Sequence, residues 1–196
     1  MTKRIGILMF NEMEELDAVG PWEVFGHWTK NFPEDEYELV NFSREGGVVT
    51  CAKGLRVVTE YSYATVPELE VLVYPGGFGT RAHLKDLAQL AWLREQRTKV
   101  PMLVSVCTGS LVFASAGLLK GRCATTHWAS LDLLAQLDST IEVCDEERIV
   151  DEGDLVTSAG VSAGIDMALH LVRRFVSSER AIQVRRGIQY DPRPPV

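Results

Sequence analysis

The sequence predicts a three-layer α/β sandwich: a mostly parallel sheet with helices on both faces. Three observations lead there. Short runs are almost wholly apolar, as in Ile5–Phe10, Val71–Tyr74 and Met102–Val106. A strand buried on both faces reads this way, whereas a half-exposed strand alternates. Segments with helical apolar spacing separate these runs, which is the rhythm of βαβ units. Finally, two of the runs stop abruptly at small residues, in Pro75-Gly76-Gly77 and Cys107-Thr108-Gly109.

The elements follow in order. Arg4–Phe10 is the first strand. Asp17–Trp28 is a helix with apolar Val19, Trp22 and Phe25, and Pro21 fits it only in the first turn. Tyr37–Phe42 is a strand. Val48–Cys51 and Leu55–Val58 form a hairpin about Lys53-Gly54. Val71–Tyr74 is a buried strand. Leu84–Arg97 is a helix with Leu84, Leu87, Ala88, Ala91 and Leu93 on its apolar face. Met102–Val106 is a strand, Gly109–Ala116 a helix ended by Gly117, Cys123–Thr126 a short strand and Ala129–Leu137 a helix. Arg148–Asp151 and Leu155–Ser158 pair about Glu152-Gly153. Ser162–Phe175 is a long helix with Ser162 at its N-cap, and Ser177–Ile188 is the last helix. Asp191–Val196 reads as an extended tail. No linker, repeat or low-complexity tract divides the 196 residues, so a single domain over 1–196 is expected.

Composition narrows the function. With 46% hydrophobic and 24% charged residues the chain is globular rather than disordered. A net charge of −7 without a basic stripe argues against nucleic-acid and anionic-membrane partners. The first apolar run is too short to span a membrane and nothing resembles a targeting segment, so a cytoplasmic location is expected. Cys51, Cys107, Cys123 and Cys144 are far apart with no CxxC spacing, which speaks against zinc or a disulfide framework. Cys51, Cys123 and Cys144 are expected to be small buried hydrophobes. No metal and no organic cofactor is expected, since no metal-ligand spacing, GxGxxG or P-loop pattern occurs.

Cys107 differs from the other three. In open parallel sheets, sites form at the C-terminal ends of strands. Ser105-Val106-Cys107-Thr108-Gly109-Ser110 has the form of a nucleophile elbow, a strained strand-to-helix turn flanked by small residues. The following helix N-terminus is expected to lower the thiol pKa. Gly76 and Gly77 let the backbone approach a ligand, and their N–H groups can join that of Thr108 in an oxyanion site. Asp17 reads first as a helix N-cap. The functional alternative is a buried carboxyl that serves as general acid and base to Cys107. Glu14 and Glu15 read as solvent-facing. His127 is a candidate partner for the thiolate, with a structural role equally open. His27, His83 and His170 carry no motif.

On these residues the sequence resembles the ThiJ/PfpI superfamily along essentially its whole length. The matching pieces are Leu16-Asp17 with Gly20-Pro21, Pro75-Gly76-Gly77, Ser105–Leu111, Ala116–Leu119, Ala124–Trp128 and Gly160–Asp166. The resemblance implies a flavodoxin-like fold, a class I glutamine amidotransferase-like domain with a cysteine elbow. Within the superfamily the chain is most similar to the isonitrile hydratase branch. That implies hydration of isonitriles to N-substituted formamides, with Asp17, Cys107 and Thr108 as the catalytic set and a homodimer as the assembly. Thr108 stands where the peptidase-like branch carries histidine, and Asp17 where the human parkinsonism-associated branch carries glutamate. Other readings within the superfamily are a glyoxalase- or amidase-like cysteine enzyme, or a non-enzymatic redox or ligand sensor like the domain in AraC-type regulators.

Overall fold

The computed structural model describes residues 2–192. Its elements are β1 (Lys3–Leu8), α1 (Glu15–Asn31), β2 (Tyr37–Ser43), β3 (Gly47–Thr50), β4 (Arg56–Thr59), β5 (Tyr61–Ser62), β6 (Val71–Tyr74) and α2 (Thr80–His83). There follow α3 (Leu87–Lys99), β7 (Met102–Val106), α4 (Gly109–Ser115), β8 (Cys123–Ala124), α5 (Leu131–Leu137) and β9 (Glu142–Val143). The last are β10 (Ile149–Asp151), β11 (Leu155–Ser158), α6 (Ala163–Phe175) and α7 (Ser178–Gly187).

Seven strands form the central sheet in the order β10-β11-β7-β6-β1-β2-β5. Every pairing in it is parallel except β10 with β11. Helices α1, α6 and α7 pack together on one face, and α2 to α5 cover the other. This is the expected sandwich. β6, β7 and β11 are buried at every position, which is why their sequences do not alternate. Fully burying each Val or Leu there contributes about 1.5–3 kcal/mol relative to exposure. On the other side of β1, Trp28, Tyr37 and Phe175 close the edge, with Trp28 and Tyr37 ring centroids 4.6 Å apart.

Several local expectations fail, each for a tertiary reason. α1 begins at Glu15, so Pro21 lies in its second turn rather than its first. There the ring packs over Gly164 of α6, where a Cβ would come within 3.2 Å of it. α3 begins at Leu87, after Asp86 caps it through the N–H groups of Ala88 and Gln89. Its buried face is Gln89, Leu90 and Leu93, while Leu87 is 79% exposed. Gln89 belongs inside because it bonds the hydroxyls of Tyr63 and Tyr74. The strand expected over Cys123–Thr126 ends at Ala124. Thr125 and Thr126 turn instead to Thr157 and to the Cys107 carbonyl. Ser162 occupies the cap position of α6, but its hydroxyl accepts from Arg148 rather than capping. Of the three cysteines expected to be buried, only Cys51 is; Cys123 and Cys144 are half-buried on β8 and beside β9. Asp191 and Pro192 have no regular structure, and the remainder of the expected tail lies outside the described residues.

Candidate active site

β7 delivers Cys107 to the C-terminal edge of the sheet. The residue has φ +57°, the left-handed region that non-glycine residues avoid. Such a conformation costs about 1–3 kcal/mol and persists only where neighbours hold it. Here the Cys107 N–H donates to the carbonyls of Ser158 (3.1 Å) and Ala159 (3.3 Å). Its carbonyl accepts from Thr126 Oγ1 (2.9 Å) and Ser110 Oγ (3.1 Å). Four polar contacts therefore fix the elbow.

Asp17 is fully buried in the first turn of α1 and is not the N-cap, a position held by Glu14. Its carboxylate leaves its own helix. Oδ2 accepts from the Gly76 N–H (3.0 Å), and Oδ1 accepts from the Val161 N–H (3.1 Å). It also lies close enough to the Cys107 thiol for each group to alter the other's proton affinity. Three strand ends, β6, β7 and β11, thus meet through one carboxylate. Gly76 makes the approach possible: a Cβ there would lie 2.4 Å from Thr108 N and 2.8 Å from both Asp17 Oδ2 and Cys107 Cβ. Gly77, at φ +112°, turns the chain against the Met13–Glu14 backbone.

The two glycine N–H groups are not free oxyanion donors. That of Gly76 goes to Asp17, and that of Gly77 goes to Thr108 Oγ1 at 2.9 Å. They position the carboxylate and the hydroxyl instead. Thr108, its N–H foremost, lowers the proton affinity of the Cys107 thiol, while its hydroxyl donates to the Gly77 carbonyl at 3.2 Å. Thr108 Oγ1 also lies 3.1 Å from the buried Thr80 Oγ1.

Electrostatics reverse one expectation. Burial pushes the Cys107 thiol up to about 12, and the negative charge of Asp17 adds to it, against the opposing pull of the Thr108 N–H. The helix expected to lower it, α4, has only seven residues, and desolvation of the thiolate wins. Asp17 is raised to about 7, chiefly by burial, while the neighbouring Cys107 thiol and the Gly76 and Val161 N–H groups pull the other way. The pair is therefore a thiol beside a carboxyl that titrates near neutrality. Such a carboxyl can take the thiol proton at the moment the sulfur attacks.

The remaining candidates sort as follows. His127 does not join this group. Its half-buried ring lies over Gly160, and its Nδ1 accepts from the Ala129 N–H at 3.2 Å; among the described residues it makes no hydrogen bond to Cys107. His83 bonds the Tyr74 hydroxyl at 2.7 Å, and burial lowers it to about 4. Glu14 and Glu15 do not face solvent freely, since both are half-buried and pair with Lys53. Among the described residues no cluster of His, Cys, Asp and Glu is arranged to hold a metal ion, and no helix is long and apolar enough to cross a membrane. Sequence reasoning missed Val161, Thr80 and Thr126. Val161 is the most telling, a β-branched residue at φ +56° whose N–H holds Asp17. The run Gly160-Val161-Ser162 was noticeable, but nothing in it signals a left-handed valine.

Known proteins share this arrangement of elements. The DJ-1/PfpI family profile matches residues 3–174. The isonitrile hydratase of Pseudomonas putida is 36% identical over 195 residues, covering 100% of this chain and 82% of that protein. The HTH-type transcriptional regulator CdhR of Pseudomonas aeruginosa is 33% identical over 89% of this chain, which spans 50% of the regulator. Among solved structures, a ThiJ/PfpI family protein from Pseudomonas syringae superposes with a TM-score of 0.87 at 32% identity, covering 100% of this chain and 78% of that one. Drosophila melanogaster DJ-1beta, at 20% identity and a TM-score of 0.84, shares the fold. With its fold, its strained cysteine elbow and these matches, the chain belongs to the DJ-1/PfpI family.

Proposed function

We propose that the chain is a cysteine-dependent hydratase that converts isonitriles to N-substituted formamides. The observation that carries this reading is the Asp17–Cys107 pair: a buried thiol beside a buried carboxyl that the Gly76 and Val161 N–H groups hold in place and that burial raises to about 7. The isonitrile carbon accepts both a nucleophile and a proton, and this pair offers both. The Cys107 sulfur bonds to the carbon while Asp17 takes the thiol proton and passes it to the same carbon, giving a thioimidate, R–N=CH–S–Cys. Water then adds to that carbon, one of its protons passing through Asp17 to nitrogen. The C–S bond breaks, the hydroxyl proton returns to sulfur, and R–NH–CHO leaves. One water is consumed and the thiol is restored. Thr108 steadies sulfur through its N–H, and Gly76, Gly77 and Val161 hold the acid and the hydroxyl in place. The similarity to the P. putida isonitrile hydratase along the full chain supports the same reading.

The likeness to CdhR favours a second reading, a ligand-sensing domain. Sensing by cysteine oxidation fits poorly, because susceptibility follows thiolate character and burial suppresses it here. The deciding experiment incubates the protein with an uncharged alkyl isonitrile and follows formamide by mass spectrometry. Catalytic formation supports the hydratase. Stoichiometric binding without formamide supports the sensor.

A further inference from the structure

Five arginines among the described residues are half-buried: Arg4, Arg81, Arg97, Arg122 and Arg180. Four of them hold carboxylates. Arg4 pairs with Glu38, Arg97 and Arg122 with Asp154, and Arg180 with Glu34 and Asp35. Arg81 holds only hydroxyls, Thr80 Oγ1 at 3.1 Å from Nη1 and Ser130 Oγ at 3.5 Å from Nη2. No carboxylate of the described residues reaches it. A guanidinium offers five N–H donors in a planar fork that matches a carboxylate, so most of that capacity is unused.

Thr80 Oγ1 lies 3.1 Å from Oγ1 of Thr108, the residue that follows Cys107 in the chain. Two successive hydrogen bonds of 3.1 Å thus separate the guanidinium from Thr108. Arg81 also ties the turn that carries Phe78 to the turn that carries Trp128. Those two aromatics are 74% and 78% exposed. Glu14 and Glu15, at the start of α1, are engaged by Lys53. In a chain of net charge −7, an anionic substrate is repelled at long range and needs a local cation to be held.

We propose that Arg81 binds a carboxylate on the substrate and that the preferred substrates are isonitriles carrying a carboxylate a few bonds from the reacting carbon. The isonitrile part rests on the hydratase reading; the charge preference at Arg81 does not. Two matched pairs separate them. The first is alkylation of Cys107 by iodoacetate and by iodoacetamide, reagents of nearly equal size that differ in charge, followed by peptide mass mapping. The ratio of acid to amide rate falls about tenfold or more in Arg81→Gln, as expected for loss of a charge-assisted bond, and Arg81→Lys retains most of it. The second pair is isocyanoacetate and its methyl ester, compared as the ratio of kcat/KM, which shifts in the same direction. If wild-type protein yields formamide from neither, the hydratase reading falls while the alkylation ratio still decides Arg81. A purely structural Arg81 lowers both rates alike and leaves both ratios unchanged, which overturns the proposal. Should Arg81→Gln not fold, salt decides in wild-type protein. Screening lowers the acid-to-amide ratio if a cation guides the acid, and raises it if only the overall negative charge acts.

Discussion

Asp17 and Asp86 both sit at helix starts, and each accepts two backbone N–H bonds. Their proton affinities nonetheless part widely. Asp86 is lowered to about 2, first by its hydrogen bond from Arg44 and then by the Gln89 N–H. Asp17 is raised to about 7, first by burial. Backbone donors are equal in number, so the difference comes from solvent and from a cation. Asp86 is half-exposed with Arg44 at 2.6 Å, and Asp17 is fully buried with no Lys, Arg or His of the described residues hydrogen-bonded to it. One arrangement makes a helix cap that is always charged. The other makes a carboxyl able to give and take a proton at neutral pH.

The largest expected effect tests the partner that gives Asp17 its role. Cys107→Ala removes the nucleophile and reduces formamide formation to background, while the thermal midpoint and circular dichroism stay native. A variant that keeps turnover means that the elbow is not the reacting group. Next comes pH. Because Asp17 must be a carboxylate to accept the thiol proton, kcat/KM with an uncharged isonitrile falls about tenfold per pH unit below about 7 and levels off above it. A flat profile from pH 5 to 8 would detach Asp17 from the chemistry.

How much of this was legible in the chain depends on range. β6 and β7 match their expected bounds because a strand buried on both faces declares itself in composition. Cys107 was readable for a local reason, the strand–Cys–small–Gly–helix junction. Asp17 was not readable from its own segment, where its neighbours suggest a cap; its meaning comes from N–H groups 59 and 144 residues away. The direction of the Cys107 shift was misread because burial is a property of the packed fold, whereas the helix N-terminus is visible in the chain. The buried face of α3 was misread because Gln89 is polar by composition and is carried inside by two tyrosine hydroxyls.

Smaller effects fall on stability. Asp17 binds its proton more tightly folded than unfolded, so its contribution is fully present below about pH 4 and is lost as pH rises through about 7. The cost at pH 8 is on the order of a few kcal/mol. Urea melts from pH 5 to 8 therefore show wild-type stability declining relative to Asp17→Asn; parallel curves would mean that Asp17 is not raised. Asp86 runs oppositely, losing its contribution as pH falls through about 2. Asp86→Ala costs about 1 kcal/mol by loss of the cap and leaves kcat/KM unchanged. A fall in turnover there would blur the distinction between the two aspartates.

The most direct test of the account is the turnover of Asp17→Asn at pH 7.5 on an alkyl isonitrile. Asparagine fills the same space and keeps a carbonyl for one of the two N–H donors, but it cannot carry the proton between thiol, carbon and water. The account predicts a folded protein whose kcat is lower by ~10²-fold or more, the usual contribution of general acid–base catalysis. Wild-type turnover in Asp17→Asn would contradict it, and would leave Asp17 as a brace between α1, Gly76 and Val161 and nothing more.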